Sequence, residues 1–206
     1  MGICWRNPGP VETKMNVNGG HKEQTKILLT MFLAMWAVFF VSTITGGALL
    51  WLGVIPRTVL GLRGILFAPF LHGSLAHIVS NSIPFLIFGW LVMLRDPRHF
   101  LPVTLISMIG SGLMAWLVGA PGSVHIGASG VIFGYLGFLM LSGWFARSFA
   151  SIALSVVVIA LWGGMIVGVM PGTIGISWQA HLGGLIAGIY AARRYRTPRG
   201  IRASAF

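Results

Sequence analysis

Apolar residues fall into six runs of about twenty, at 27–50, 71–94, 101–118, 126–145, 149–169 and 178–195. A hydrocarbon core of roughly 30 Å is crossed by about 20 helical residues, so this pattern predicts six transmembrane helices. Prolines punctuate the runs: Pro56, Pro69, Pro97, Pro102, Pro121, Pro171 and Pro198 all lie near expected ends. Pro84 falls inside the second run, where its missing N–H is expected to kink the helix. The segment 51–70 holds Ile65-Leu66-Phe67-Ala68-Pro69-Phe70, too apolar for open water and too short to span. An interfacial position in the headgroup layer is expected for it. The pattern divides the chain into a polar segment at 1–26, a six-span domain at 27–195 and a basic tail at 196–206. The first 26 residues contain no apolar core of a signal peptide, so the first run is expected to act as an uncleaved anchor.

Composition agrees and adds sidedness. Of the 206 residues 56% are apolar and 8% charged, against about 25% charged in ordinary globular chains. The net charge of +11 would suit a nucleic-acid binder, but the basic residues cluster at the termini and in short loops. That is the distribution of anchors beside anionic lipid, so a bilayer and no nucleic acid is the expected partner. Lys14, Lys22 and Lys26 precede the first run, Arg95 and Arg98 follow the second, and Arg147 follows the fourth. Arg193, Arg194, Arg196, Arg199 and Arg202 close the sixth, while 119–125 and 170–177 carry no charge. Both termini are therefore expected on the cytoplasmic side, in a multi-pass protein of a bacterial cytoplasmic membrane. Cys4 is the one cysteine, which excludes an internal disulfide.

Polar groups in hydrocarbon cost several kcal/mol unless satisfied, which makes the few inside these runs informative. His77 and Asn81 are spaced i,i+4 on one face of the second helix, with His72 before them. Ser129 opens the fourth helix within Gly127-Ala128-Ser129-Gly130, and His181 lies early in the sixth. Under the expected topology His77, Asn81, Ser129 and His181 sit at a comparable depth in the outer half of the membrane. Gly130 and Gly134 on one helix, and Ala180, Gly184 and Gly188 on the other, have the four-residue spacing that lets backbones approach closely. A Ser129 hydroxyl could then meet a His181 imidazole, at a helix N-terminus that favours developing negative charge. A transmembrane serine is more often a back-bonded spacer, and a small-xxx-small stripe is more often packing alone. The conjunction at one depth favours a nucleophile and its base.

What is missing narrows the chemistry. The three acids are Glu12, Glu23 and Asp96, and none lies within a run. That excludes an aspartyl dyad, an HExxH zinc site, a Ser-His-Asp triad and a carboxylate-driven proton pump. The serine context is not the G-x-S-x-G elbow either. Four histidines, His72, His77, His125 and His181, leave open a bis-histidine haem or metal protein.

The pattern His72-x4-His77-x3-Asn81, Gly127-Ala128-Ser129-Gly130 and Ala180-His181-x2-Gly184-x3-Gly188 resembles the rhomboid family of intramembrane serine proteases. The resemblance covers nearly the whole chain and implies an all-α six-helix bundle with both termini cytoplasmic. It implies Ser129 as nucleophile and His181 as general base, with His77, Asn81 and the Ser129 backbone N–H stabilising the oxyanion. His72, Gly127, Ala128, Gly130, Phe133, Gly184 and Gly188 would support the site. No cofactor or metal is implied, and the implied substrates are transmembrane segments of other proteins. The family commonly has a tyrosine stacked on the histidine where this chain has Phe133, and a Trp-Arg pair in the first outer loop where this chain has Leu62-Arg63-Gly64. A catalytically silent binder of transmembrane clients is the second reading, opposed by the presence of both Ser129 and His181. The glycine-rich segment 170–177 is expected to be mobile and to cap the site.

Overall fold

The structure is a computed structural model that describes residues 17–172 and 175–195, with side chains from residue 20. The expected polar segment at 1–26 is therefore described only from Val17, and the basic tail at 196–206 lies outside the described residues. Seven α-helices are described: α1 Val17–Ile44, α2 Gly64–Phe67, α3 Leu75–Arg95, α4 Phe100–Val118, α5 Ser129–Ala146, α6 Phe149–Trp162 and α7 Trp178–Arg194. No β-strand is present among the described residues; a single antiparallel bridge joins Val54 to His125. Five stretches are long and apolar enough to cross a membrane, namely Gly20–Ile44, Leu75–Arg95, Pro97–Val118, Ser129–Ala146 and Phe149–Val169. The helix expected at 178–195 is α7, which is 17 residues long.

Several boundaries differ from the hydrophobic pattern. The first helix begins ten residues before the apolar run, because Lys22, Glu23, Gln24 and Lys26 are helical although polar. It stops at Ile44 rather than Leu50, where Gly46 and Gly47 take positive φ of 64° and 86°. The fourth helix starts at Ser129 rather than 126, because Gly127 turns the chain at φ 111°. The fifth loses its α-geometry at Gly163-Gly164 and finishes as a 3₁₀ segment, Gly163–Val169. The helix α3 runs on through Pro84 without a break. The ring still removes one helical N–H, which frees the Ser80 carbonyl four residues earlier.

The core is built on α5, two-thirds of which is buried, against 11% for Phe149–Val169. Lipid tails are as apolar as leucine, so helices associate in a bilayer through close packing rather than through a hydrophobic effect. Glycine makes that possible here. A Cβ on Gly184 would strike the Gly130 carbonyl, and one on Gly188 the Gly134 carbonyl. Ser107 and Ser111 of α4 fill the opposite sides of Gly134 and Gly130. A fully buried Tyr135 hydroxyl meets Thr104 Oγ1 at 2.7 Å, and since Thr104 donates to Phe100 O, the tyrosine is the donor.

The segment 51–70, expected at the interface, forms short helical turns packed on the bundle. The 3₁₀ turns Leu60–Arg63 and Ala68–Phe70 flank α2, and the segment packs on α4 through Ile65 against Gly112. Gly61 and Gly64 allow it to lie directly on the backbone of 53–55. Arg57 Nη1 donates to the carbonyls of Leu117 and Gly119 at 3.0 and 2.9 Å, capping the end of α4. Trp51, Val59, Leu60 and Leu66 remain exposed on the other side. At the opposite end of the bundle Asp96 accepts from the Arg98 side chain and backbone. Burial alone would raise its carboxyl, but these bonds hold it below the usual range.

The glycine contacts give a stability prediction. Gly188→Ala should destabilise the protein by about 1–3 kcal/mol, the usual cost of overpacking. Gly164→Ala, with open space around the new Cβ, should leave thermal unfolding in detergent unchanged. Equal melting temperatures for both variants would refute the proposed α5–α7 clasp.

Candidate active site

Most hydroxyls in the bundle behave as spacers. Ser80, Ser82, Ser107, Ser111 and Ser142 each donate to a carbonyl three or four residues back on their own helix. Ser129 differs, because as the first residue of α5 it has no preceding helical turn to bond to. Its Oγ lies 2.8 Å from His181 Nε2. The other imidazole nitrogen, Nδ1, is 2.8 Å from the Gly168 carbonyl. A carbonyl can only accept, so Nδ1 carries the hydrogen and Nε2 of the neutral ring offers its lone pair to Ser129. Gly168 was not legible as a site residue. It lies in the 3₁₀ end of the fifth span, and a Cβ there would come within 2.9 Å of Phe133 Cζ.

Phe133 stacks on His181 with ring centroids 4.2 Å apart and planes 9° apart. The phenyl therefore fills the place expected for an aromatic ring one turn after the serine. The imidazole is thus held by a stacked face, a carbonyl on one nitrogen and a hydroxyl on the other.

A cavity of about 240 Å³ lies over the pair. Ser129, His181, His77 and Asn81 line it together with Ser80, Pro84 and Phe133, and Gly175, Ile176 and Ser177 border it from the glycine-rich segment. The structure thus brings four of the sequence-derived residues to one space. Asn81 Nδ2 donates to the His77 carbonyl at 2.8 Å, which uses one of its two amide hydrogens. His77 Nε2 points at Gly127: a Cβ there would lie 2.6 Å from it and 3.7 Å from Ser129 Oγ. The absence of a side chain at Gly127, whose φ of 111° already favours glycine, keeps open the space between that nitrogen and the hydroxyl.

The supporting residues divide. His72 is 2% exposed and stays behind the cavity, where its Nε2 accepts from the Ala128 N–H at 3.4 Å and its ring abuts His77. Ala128 is buried and precedes α5, and the Gly127 N–H is tied to the Ala68 carbonyl at 2.8 Å. Gly130, Gly184 and Gly188 are contact points between helices. Arg63 donates to the Trp51 carbonyl at 3.0 Å within the segment 51–70, away from the cavity lining. Residues 173–174 of the glycine-rich segment lie outside the described residues.

The four histidines considered for a haem or metal are divided. His181 is bonded through both nitrogens to Ser129 and Gly168, and His125 through both to serines. Among the described residues no group of three or more His, Cys, Asp or Glu could hold a metal ion.

The family model for the rhomboid domain matches residues 59–197. An uncharacterized protein of Mycobacterium tuberculosis is 39% identical over 179 residues, which are 83% of this chain and 75% of the relative. An uncharacterized protein of Mycobacterium leprae is 43% identical over 145 residues, 66% of this chain and 57% of its own. The RHOMBOID-like protein 5 of Arabidopsis thaliana is 28% identical over 127 residues, 58% of this chain and 40% of its own. The matched region contains Ser129, His181, His77 and Asn81 together, and the chain belongs to the rhomboid family of multi-pass membrane proteins.

Proposed function

We propose that this protein is an intramembrane serine endopeptidase that hydrolyses peptide bonds in or near transmembrane segments of other membrane proteins. The observation that carries the reading is the 2.8 Å bond between Ser129 Oγ and His181 Nε2 inside a cavity that His77 and Asn81 also line. The rhomboid family, whose members are usually intramembrane serine proteases, supports it. The catalytic domain in this reading is residues 27–195 with six spans, α7 being the sixth, and both termini are cytoplasmic. The protein sits in a bacterial cytoplasmic membrane with its active site toward the outer side.

The chemistry follows from the proton positions. Ser129 Oγ attacks the scissile carbonyl carbon while His181 Nε2 takes the hydroxyl proton. The oxyanion that forms is met by His77, the free Asn81 amide hydrogen and the Ser129 backbone N–H. That N–H has no intrahelical acceptor, because it belongs to the first residue of α5. Collapse breaks the C–N bond, and His181 returns the proton to the leaving amine. Water then attacks the acyl-serine with His181 as base again, which releases the acid and restores the hydroxyl. In place of a carboxylate, Gly168 holds the imidazole in the productive tautomer. A peptide bond buried in a helix must unwind before attack, so substrate segments with helix-destabilising residues are preferred. The hydroxyl-lined and histidine-lined cavity is the polar space in which water reaches the acyl group.

Liposomes carrying a panel of model transmembrane substrates test this directly. Cleavage mapped by mass spectrometry should occur near the outer interface and vanish in Ser129→Ala and in His181→Ala. A fluorophosphonate probe that labels Ser129→Ala as strongly as the native protein would reject the reading. Asn81→Ala should lower kcat by about 10²–10³-fold, the usual effect of removing one oxyanion donor. Gly127→Ala should abolish turnover with native binding of substrate, since the new methyl occupies the space beside His77 Nε2. Normal kcat in Gly127→Ala would move the oxyanion site elsewhere.

A further inference from the structure

A second imidazole is held between two serines, one of which, Ser177, borders the same cavity. His125 Nδ1 lies 2.6 Å from Ser177 Oγ, and its Nε2 lies 3.0 Å from Ser123 Oγ. The Ser123 hydroxyl donates its one hydrogen to the Ala120 carbonyl at 2.6 Å. Ser123 Oγ therefore accepts from His125, which puts the ring hydrogen on Nε2. Nδ1 keeps its lone pair, and Ser177 is the donor to it. Burial pushes His125 below the usual histidine range, in keeping with a neutral ring.

Ser177 is the N-cap residue of α7, yet its side chain makes no capping bond. Serine is among the best N-caps, with a contribution of about 1 kcal/mol, so diverting its hydroxyl forgoes a normal stabilising bond. The Ser177 backbone carbonyl accepts the His181 N–H at 3.1 Å, the bond that closes the first turn of α7. His125 in turn is held rigidly. It exchanges two 2.9 Å backbone bonds with Val54, and its surroundings admit no Cβ at Gly53 or Gly119. A continuous chain of contacts thus runs from the first outer loop through His125 and Ser177 to the turn that carries His181.

We propose that His125 and Ser177 are positioning residues for the reaction at Ser129: their hydrogen bond fixes the first turn of α7 and thereby the approach of His181 to the nucleophile. The proposal rests on the protease reading above. Neither residue touches the reacting atoms. Ser177 lines the cavity whereas His125 does not, so His125 is the cleaner probe of positioning apart from substrate contact.

The test uses the full-length protein in liposomes, with Ser177→Ala, His125→Phe, the double variant and the hydroxyl-retaining Ser177→Thr. Four readouts are taken: kcat and KM on a transmembrane substrate, the rate of fluorophosphonate inactivation, and amide hydrogen exchange over 177–185. A small misplacement of a catalytic group can cost up to about 10²-fold, and a loss of about 10-fold is expected in both kcat and inactivation rate for Ser177→Ala and for His125→Phe. KM should be unchanged in His125→Phe, Ser177→Thr should retain most activity, and the double variant should be no worse than either single one. Exchange at the first turn of α7 should quicken equally in all three hydrogen-bond-breaking variants. Native rates in Ser177→Ala, multiplied effects in the double variant, or a probe adduct on Ser177 would overturn the proposal. Ser177→Ala removes only a hydroxyl and carries the test if His125→Phe does not fold. If the native protein neither cleaves nor labels, the protease reading falls, and the exchange measurement alone decides the link: quickened exchange upholds it and unchanged exchange overturns it.

Discussion

The contact between α5 and α7 is the constraint on which the rest of the site depends. Two backbones lie so close that the carbonyls of Gly130 and Gly134 occupy the space a methyl group would take on Gly184 and Gly188. In a bilayer this closeness has to come from dispersion and weak polar contacts between small residues, since lipid solvates apolar side chains equally well. Ser129 stands one residue before Gly130, and His181 three before Gly184, so both belong to the same clasped ends. A hydrogen bond of 2.8 Å survives only a few tenths of an ångström of separation. The glycine clasp therefore sets the Ser129–His181 distance as much as it sets the packing.

Among the described residues no Asp or Glu lines the cavity around the pair, and the same setting accounts for it. An ionised acid taken out of water costs several kcal/mol unless it is fully paired, and a bilayer interior makes that harder to offset. A neutral backbone carbonyl performs the orienting part of the task without that cost. Gly168 fixes the His181 tautomer, and the Phe133 ring fixes its plane. In the proposed reaction a carbonyl lacks the full negative charge that would stabilise an imidazolium, which would leave more of the stabilisation to the donors around the oxyanion. The crowding of His77, Asn81 and the open Gly127 turn on one side of Ser129 is consistent with that division.

The loops at this end of the bundle are structural members as well as connections. Arg57 caps α4, the bridge between Val54 and His125 ties the segment 51–70 to the segment before α5, and α2 lies on α4 through Gly112. The same loop leaves Trp51, Val59 and Leu66 exposed, so one side is packed on protein while the other retains the apolar surface that suits an interface. Ordering these loops holds the N-termini of α5 and α7 in register, which is where both members of the pair reside.

Much of this was legible along the chain. Runs of apolar residues of bilayer length identified the helices, since hydrophobicity and length are local quantities. The pair Ser129 and His181 stood out because polar residues are costly in such runs and because glycines flanked both. Ends were less legible: the polar residues before the first run continue its helix, and the fifth span changes to a tighter helix at paired glycines. Roles that depend on a backbone atom or on a partner far away in sequence left no mark at all. The Gly168 carbonyl looks like any other carbonyl, and nothing near Ser177 names His125. Nor could composition tell which of many serines escapes bonding to its own helix. Local patterning therefore decided which segments enter the membrane and which polar groups are anomalous there. Only the folded bundle decided which atoms meet, because hydrogen-bond distances arise from helix-to-helix approach, a property of surfaces contributed by residues as much as 52 positions apart, as Ser129 and His181 are.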